Sequence, residues 1–447
     1  MKKKVAFISE HASPLAILGG VDNGGQNVYV AELSEQLVQK GYEVDIYTRK
    51  DNTDLEETVN WLPHIRVIHI EAGPQRFVPK EKLLSYMDEF TANMLYYIKT
   101  NDLEYSLIHA NFFMSALVAS NLKKYLGIPY VVTFHALGLV RKIHQKDKDA
   151  FPAERINIER HVVHDADQII AECPQDREDL ITLYDADPDK ITIVPCGFNR
   201  KEFYPIDKVK ARAFLNLPQD EKIILQLGRM VPRKGVDNVI RALGKLKDYG
   251  CMRLLVVGGE ADTPDPELTP EIGRLQQIAK EENIEDRVIF TGRRSRDVLK
   301  YFYAAADIFI STPWYEPFGI TPLEAMACGT PVIGANVGGI KYSVADGLTG
   351  FLVPPHQPHA LAEKILQLLS DESLYKSMQK NAIRRVNKYF TWSKVADGVH
   401  HLYAKVLEAA KKSVPQEHLS PLDALSLLHI EKYLLSDSIY KNLKMQQ

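Results

Sequence analysis

Residues Tyr315 to Gly334 read YEPFGITPLEAMACGTPVIG: a loop, a short helix and a buried strand in one stretch. Thr321 suits an N-cap, Pro322 the first helical position, and Glu324 the place where a capping box sets its carboxylate. Leu323, Met326 and Ala327 give the helix an apolar side, and Gly329 fits a left-handed residue past its end. Thr330-Pro331 then restarts an extended run through Val332-Ile333. A helix that follows an EPFG loop offers backbone N–H groups, and the positive end of its dipole, to an anion. Glu316 stands just outside that site, among Trp314, Pro317, Phe318 and Gly319. A merely solvated Glu needs neither aromatic neighbours nor a glycine.

The chain around this stretch has 447 residues, more than one core usually holds, so two domains are expected. An apolar fraction of 45% is ordinary for a globular protein, and a net charge of −3 argues against nucleic acid as the main partner. Cys173, Cys196, Cys251 and Cys328 show no paired spacing and read as buried thiols of a reducing compartment. The start, MKKKVAFISEH, is a basic cap on a short strand. No run approaches the roughly 18 apolar residues of a spanning helix, so a cytoplasmic location is expected.

The two glutamates of EPFGITPLE, Glu316 and Glu324, give the stretch a second meaning. The motif resembles the nucleotide-sugar signature of retaining family-four glycosyltransferases of the GT-B fold. That resemblance covers about residues 1–410 and implies two Rossmann-like α/β domains facing across a cleft. It implies that Glu316 approaches the donor sugar and Glu324 the ribose hydroxyls. Backbone amides of Phe318, Gly319, Ile320 and Thr321 would reach the sugar and the diphosphate.

Taken from its start, the chain gives a strand at Val5–Ile8, a glycine loop, a helix from about Asn27 to Lys40, and a strand at Val44–Tyr47. This is a βαβ opening. Paired Gly24-Gly25, in Asp22-Asn23-Gly24-Gly25-Gln26, let backbone N–H groups approach a phosphate with no Cβ in the way. The segment resembles the DxGGQxxYVxEL start of sucrose-phosphate synthases and sucrose synthases, which implies that the Gly pair meets the diphosphate and Gln26 the acceptor. Further strand-like runs at Ile65–Ile70, Leu107–Ile108 and Tyr130–Phe134 alternate with helical stretches and predict a first doubly wound domain. His135 follows the last of these strands, at the rim where α/β ligands bind. TFHALG resembles the family's active-site segment, whose His approaches donor sugar and acceptor. GPQRFVPKE, HALGLVRK and RINIER resemble segments that hold an acceptor phosphate, which implies that role for Arg76, Lys80, Lys142 and Arg155. Phe112 and Ala136 stand where the inositol-phosphate glucosyltransferases tend to have Tyr and Thr.

The passage CGFN at Cys196–Asn199, with the Pro-bearing stretch after it, sets the domain boundary near Pro205. The expected organisation is 1–205 for the acceptor domain and 206–390 for the donor domain. A helix over about 391–412 crosses back, and a helical tail spans 413–447. Ile223–Gly228 opens the second domain, and Arg229 and Lys234, five apart, aim two cations at one point, as a departing diphosphate requires. By resemblance Gly228 and Arg293 also lie on the donor, and Val337-Gly338-Gly339-Ile340 is a glycine turn. The DAD strings at Asp165 and Asp185, the DPD string at Asp187 and the similar DPE at Asp265 read as helix ends and turns, so neither a metal nor a cofactor is expected.

Together these readings predict a retaining, metal-independent transfer of glucose from a nucleoside-diphosphate sugar, UDP-glucose favoured. The acceptor favoured is a small phosphorylated sugar such as fructose 6-phosphate. Free sugars, inositol phosphate and lipid-linked sugars are the alternatives. A silent nucleotide-sugar or glycan-binding protein is the reading from another class, and four intact groups (His135, Arg229, Lys234 and Glu316) oppose it. A dehydrogenase is opposed by the missing GxGxxG.

Overall fold

The structure, a computed structural model, describes residues 3–16, 24–146 and 149–412. Asp22-Asn23 of the glycine loop and the tail expected over 413–447 lie outside the described residues. Two α/β units, each built on its own sheet, make up the described chain.

The first sheet has eight strands: β1 (Lys3–Ile8), β2 (Tyr42–Arg49), β3 (Thr58–Leu62), β4 (Ile65–Ile70), β5 (Leu107–Asn111), β6 (Tyr130–Thr133), β7 (Gln168–Ala171) and β8 (Ile191–Ile193). Their order is β3-β4-β2-β1-β5-β6-β7-β8. Every pairing is parallel except that of the edge strand β3 with β4. The doubly wound expectation is met, with one antiparallel edge added. Helices cover both faces, so the central strands are apolar without alternation, and Val5, Ala6, Phe7 and Ile8 are all fully buried.

The second sheet has six strands, all parallel: β9 (Lys222–Leu227), β10 (Met252–Val257), β11 (Val288–Gly292), β12 (Ile308–Ser311), β13 (Val332–Ala335) and β14 (Gly350–Val353). Their order is β11-β10-β9-β12-β13-β14. The helix expected across the units is Trp392–Lys412, and it docks on the first one. His109 of β5 meets Tyr403 Oη at 2.6 Å, Tyr42 meets His400 at 3.0 Å, and Lys40 pairs with Asp397 at 2.5 Å. Among the described residues no helix is long and apolar enough to cross a membrane.

Three of the four cysteines are buried as expected, but Cys251 is exposed. It sits in the turn before β10, where no element covers it.

Candidate active site

The carboxyl ends of parallel strands from both sheets meet at one cleft, where α/β folds place ligands. Its cavity of about 590 Å³ is lined by residues that follow β5, β6, β9 and β12.

On the second unit, β9 ends at Leu227 and the chain turns through Gly228-Arg229 into the short helical turn Pro232–Lys234. Gly235 closes this turn at φ +67°, and a Cβ there would lie 2.1 Å from the Thr312 carbonyl oxygen. Only glycine lets the turn pack so closely. The result is a cluster around one carboxylate. Lys234 Nζ lies 2.5 Å from Glu316 Oε2, and Arg233 Nη1 lies 3.5 Å from the same oxygen. Burial raises the Glu316 carboxyl, but Lys234, Arg233 and Arg229 outweigh it and hold it at about 2. Burial also lowers the Lys234 ammonium to about 8, against the pull of Glu316. The two shifts do not mirror each other, because Glu316 faces several cations whereas Lys234 faces one carboxylate and two like charges. Arg229 and Lys234 both line the cavity, but Arg233, which the sequence reading passed over, shares the carboxylate.

The loop bearing Glu316 is held from several sides. A Cβ at Gly338 would fall 1.8 Å from the Glu316 carbonyl oxygen, and Gly339 N–H donates to the Pro317 carbonyl at 3.1 Å. The Val337–Ile340 glycine turn therefore buttresses the loop that bears Glu316. From the first unit, His144 stacks on Tyr315 at 4.9 Å between ring centroids, Gln145 hydrogen-bonds the Tyr315 hydroxyl, and Cys173 Sγ–H reaches the Pro317 carbonyl at 3.4 Å.

The helix after this loop runs Ile320–Ala327 with Gly319 as N-cap at φ +90°, so Thr321 lies inside it and does not cap it. A start two residues early moves Glu324 out of capping-box position. Its carboxylate instead takes Arg296 Nη1 at 3.0 Å and the Tyr303 hydroxyl at 2.8 Å. Gly329 has φ +84°, as the sequence predicts for the residue past the helix end. Gly228, Arg293, Phe318, Gly319, Ile320, Thr321 and Glu324 all line the cavity.

On the first unit the helix Gly25–Gln39 starts two residues before the expected position. Gly24, Gly25 and Gln26 line the cavity, and a Cβ at Gly24 would come 3.7 Å from Arg229 Nε. Gln26 Nε2 donates to Ser9 Oγ at 3.1 Å and to the Asn111 carbonyl at 3.2 Å. His135 also lines the cavity, at φ +56°, a left-handed conformation costing roughly 1–3 kcal/mol in a non-glycine residue. Its Nδ1 meets Glu172 Oε1 at 2.9 Å and its Nε2 meets Asn111 Oδ1 at 3.1 Å, so neighbours fix the ring. Cys196 Sγ–H shares the same Glu172 oxygen at 3.1 Å.

The basic set divides. Lys80 lines the cavity. Arg76 and Lys142 are exposed and do not. Helix phase explains Lys142: Arg141 and Gln145, one turn apart on Gly138–Gln145, face the cavity and put Lys142 on the solvent side. Arg155 is a correction. It is 1% exposed, its Nε donates to Glu159 Oε1 at 2.7 Å, and Nη2 donates to the Ala136 carbonyl at 2.6 Å. The rings of Phe113 and Phe151 lie over it at 4.7 and 4.4 Å, so its charge does not line the cleft. The i, i+4 spacing of Arg155 and Glu159 within RINIER was the signal available for this pair.

Among the described residues no group of three or more His, Cys, Asp and Glu side chains is placed to hold a metal ion. Asp187 accepts from Asp189 N–H at 2.9 Å and Asp265 from Glu267 N–H at 2.8 Å, both as turn residues.

Two family profiles divide the chain: Glycosyltransferase Family 4 matches residues 23–202 and Glycosyl transferases group 1 matches residues 207–385. The D-inositol 3-phosphate glycosyltransferase of Corynebacterium glutamicum (strain R) is 35% identical over 407 residues, covering 90% of this chain and 96% of that protein. Among solved structures, sucrose-phosphate synthase from Thermosynechococcus elongatus superposes with a TM-score of 0.84 at 35% identity, covering 91% of this chain and 100% of that one. HepE of Anabaena, solved with UDP and glucose, shares the fold at a TM-score of 0.71 and 21% identity, covering 90% of this chain and 100% of its own.

Proposed function

The chain belongs to the family-four glycosyltransferases of the GT-B fold, and on that premise we propose that it transfers glucose with retention from a nucleoside-diphosphate glucose, UDP-glucose favoured, to a small phosphorylated sugar such as fructose 6-phosphate. The observation that carries the donor half is Glu316 under Lys234 and Arg233, beside Arg229, at the mouth of a helix N-terminus. A departing diphosphate develops negative charge, and preorganised cations with backbone N–H groups in a partly dry cleft stabilise it without a divalent ion.

In this reading the bond from the sugar C1 to the diphosphate oxygen breaks as the bond from C1 to the acceptor oxygen forms on the same face. The acceptor hydroxyl proton passes to the departing phosphate. This front-face route forms no covalent intermediate on the protein, and Glu316, held by two cations, orients the sugar. His135, fixed by Glu172 and Asn111, orients the sugar from the other side.

The acceptor half rests on Lys80 and on Arg141, which pairs with Asp149 at 2.8 Å; both line the cavity. Both 35%-identical relatives are named for a phosphorylated polyol or sugar, which supports a phosphorylated acceptor. Inositol phosphate is the second reading, favoured by the name of the curated relative. The test offers UDP-, ADP- and GDP-glucose with a panel of sugars and sugar phosphates, reading released nucleotide and product. Turnover with fructose 6-phosphate supports the first reading and turnover with inositol phosphate the second. Turnover only with unphosphorylated acceptors overturns both, and nucleotide binding with no release across the panel favours a binding protein.

A further inference from the structure

Glu324 is 2% exposed, yet it lines the cleft. A carboxylate so buried needs partners, and it has two on opposite oxygens: Arg296 Nη1 at 3.0 Å from Oε1 and the Tyr303 hydroxyl at 2.8 Å from Oε2. Both partners are themselves immobilised. Tyr303 is fully buried, and its backbone carbonyl accepts from the Thr330 hydroxyl at 2.6 Å. Arg296 Nε binds Glu202 at 2.5 Å, its guanidinium lies 4.9 Å from the centre of the Phe203 ring, and Nη2 stands 3.9 Å from Glu32. The carboxylate is therefore set in one rotamer. A carboxylate offers about four acceptor positions, so two remain beyond the bonds from Arg296 and Tyr303, and a ligand hydroxyl can donate to them.

Resting on the donor reading above, we infer that Arg296 and Tyr303 are positioning residues that set Glu324 to accept from the ribose hydroxyls of the donor nucleotide. Tyr303 stands behind Glu324 and does not line the cavity, and Arg296, which does, engages Glu324 through Nη1. Their work is done before the ligand arrives: the carboxylate need not reorganise, and a nucleotide lacking a ribose hydroxyl leaves a buried acceptor without its hydrogen.

The test titrates UDP, ADP and GDP, and the 2′-deoxy and 3′-deoxy form of each, into the full chain and into the Tyr303→Phe and Arg296→Gln variants. The wild type should bind its preferred ribonucleotide about ten-fold tighter than at least one deoxy form, the value of one charge-assisted hydrogen bond. Each variant should bring that ratio to within about two-fold by weakening the ribonucleotide alone. A ratio unchanged in both variants overturns the inference, as does equal weakening of ribo and deoxy forms, which marks a purely structural role. If Arg296→Gln fails to fold, Tyr303→Phe, which removes one hydroxyl and keeps the ring, carries the comparison. A wild type that binds a nucleotide without ribose preference overturns this inference and leaves the transferase reading standing. A wild type that binds none of the three overturns the donor reading and this inference with it.

Discussion

Lys234 and Glu316 face each other at 2.5 Å, and at this scale the donor reading is most exposed to test. Glu316→Gln and Lys234→Ala should each lower turnover by about 10²–10³, the usual loss for one preorganised charge, with the far-UV spectrum retained. Lys234 is held at about 8, so its cation is present below that pH and lost above it. The rate of donor cleavage should then fall as pH rises through 8, and Lys234→Arg should move that limb upward. A rate flat to pH 10 would remove Lys234 from the mechanism. Arg155 belongs to the opposite kind of residue. Removing it strands Glu159 in a fully buried place, so Arg155→Ala should cost about 3–5 kcal/mol in denaturant unfolding. Its acceptor KM should move no more than that of Arg76→Ala.

Among the elements, helix phase and glycine geometry decide which charges reach the cleft. Arg141→Ala should raise acceptor KM several-fold, and Lys142→Ala should leave it unchanged, because only Arg141 shares a helix face with the cavity-lining Gln145. Equal effects of the two would refute that assignment. Gly235→Ala puts a Cβ 2.1 Å from Thr312 O at φ +67° and must shift the Pro232–Lys234 turn. It should cost about 1–3 kcal/mol of stability and lower kcat/KM, measured by melting and steady-state kinetics. The elements were largely legible in the sequence: buried strands at Val5, Ile65, Ile223 and Leu254 lie where their apolar runs are. The edge strand β3 and the late strand β14 were missed, since TVNWL and GFLV are short and no periodicity separates them from loops.

Across the whole molecule, the two units are joined by contacts between residues distant in sequence. Glu32, on a helix of the first unit, meets Asn199 in the connecting passage at 3.1 Å and approaches Arg296 of the second. Burial raises the Glu32 carboxyl to about 7. In the unfolded chain it titrates near its ordinary value, so the native state binds the extra proton between roughly 4.5 and 7. The stabilisation is complete below that window and is lost as pH rises through 7. Glu32→Gln should remove this decline, gaining up to about 3 kcal/mol relative to wild type between pH 5 and 8. Identical pH slopes for the two proteins in denaturant titrations would show that Glu32 does not carry it.

What the sequence by itself determined was local. The EPFG loop, the glycine pair at Gly24-Gly25, the Arg229–Lys234 spacing and the apolar strands all depend on residues close along the chain, so the fold class and these cavity-lining residues were readable there. What the tertiary structure decided was which side chains find partners from afar. Glu324 meets Arg296 and Tyr303, His135 is fixed by Glu172 and Asn111, and Tyr315 is gripped by His144 and Gln145. Arg155 is withdrawn from the cleft by Glu159 and three phenylalanine rings. The reason is physical: burial makes a charge seek the nearest opposite charge or dipole in space, and distance in space is set by packing the two sheets, not by spacing along the chain.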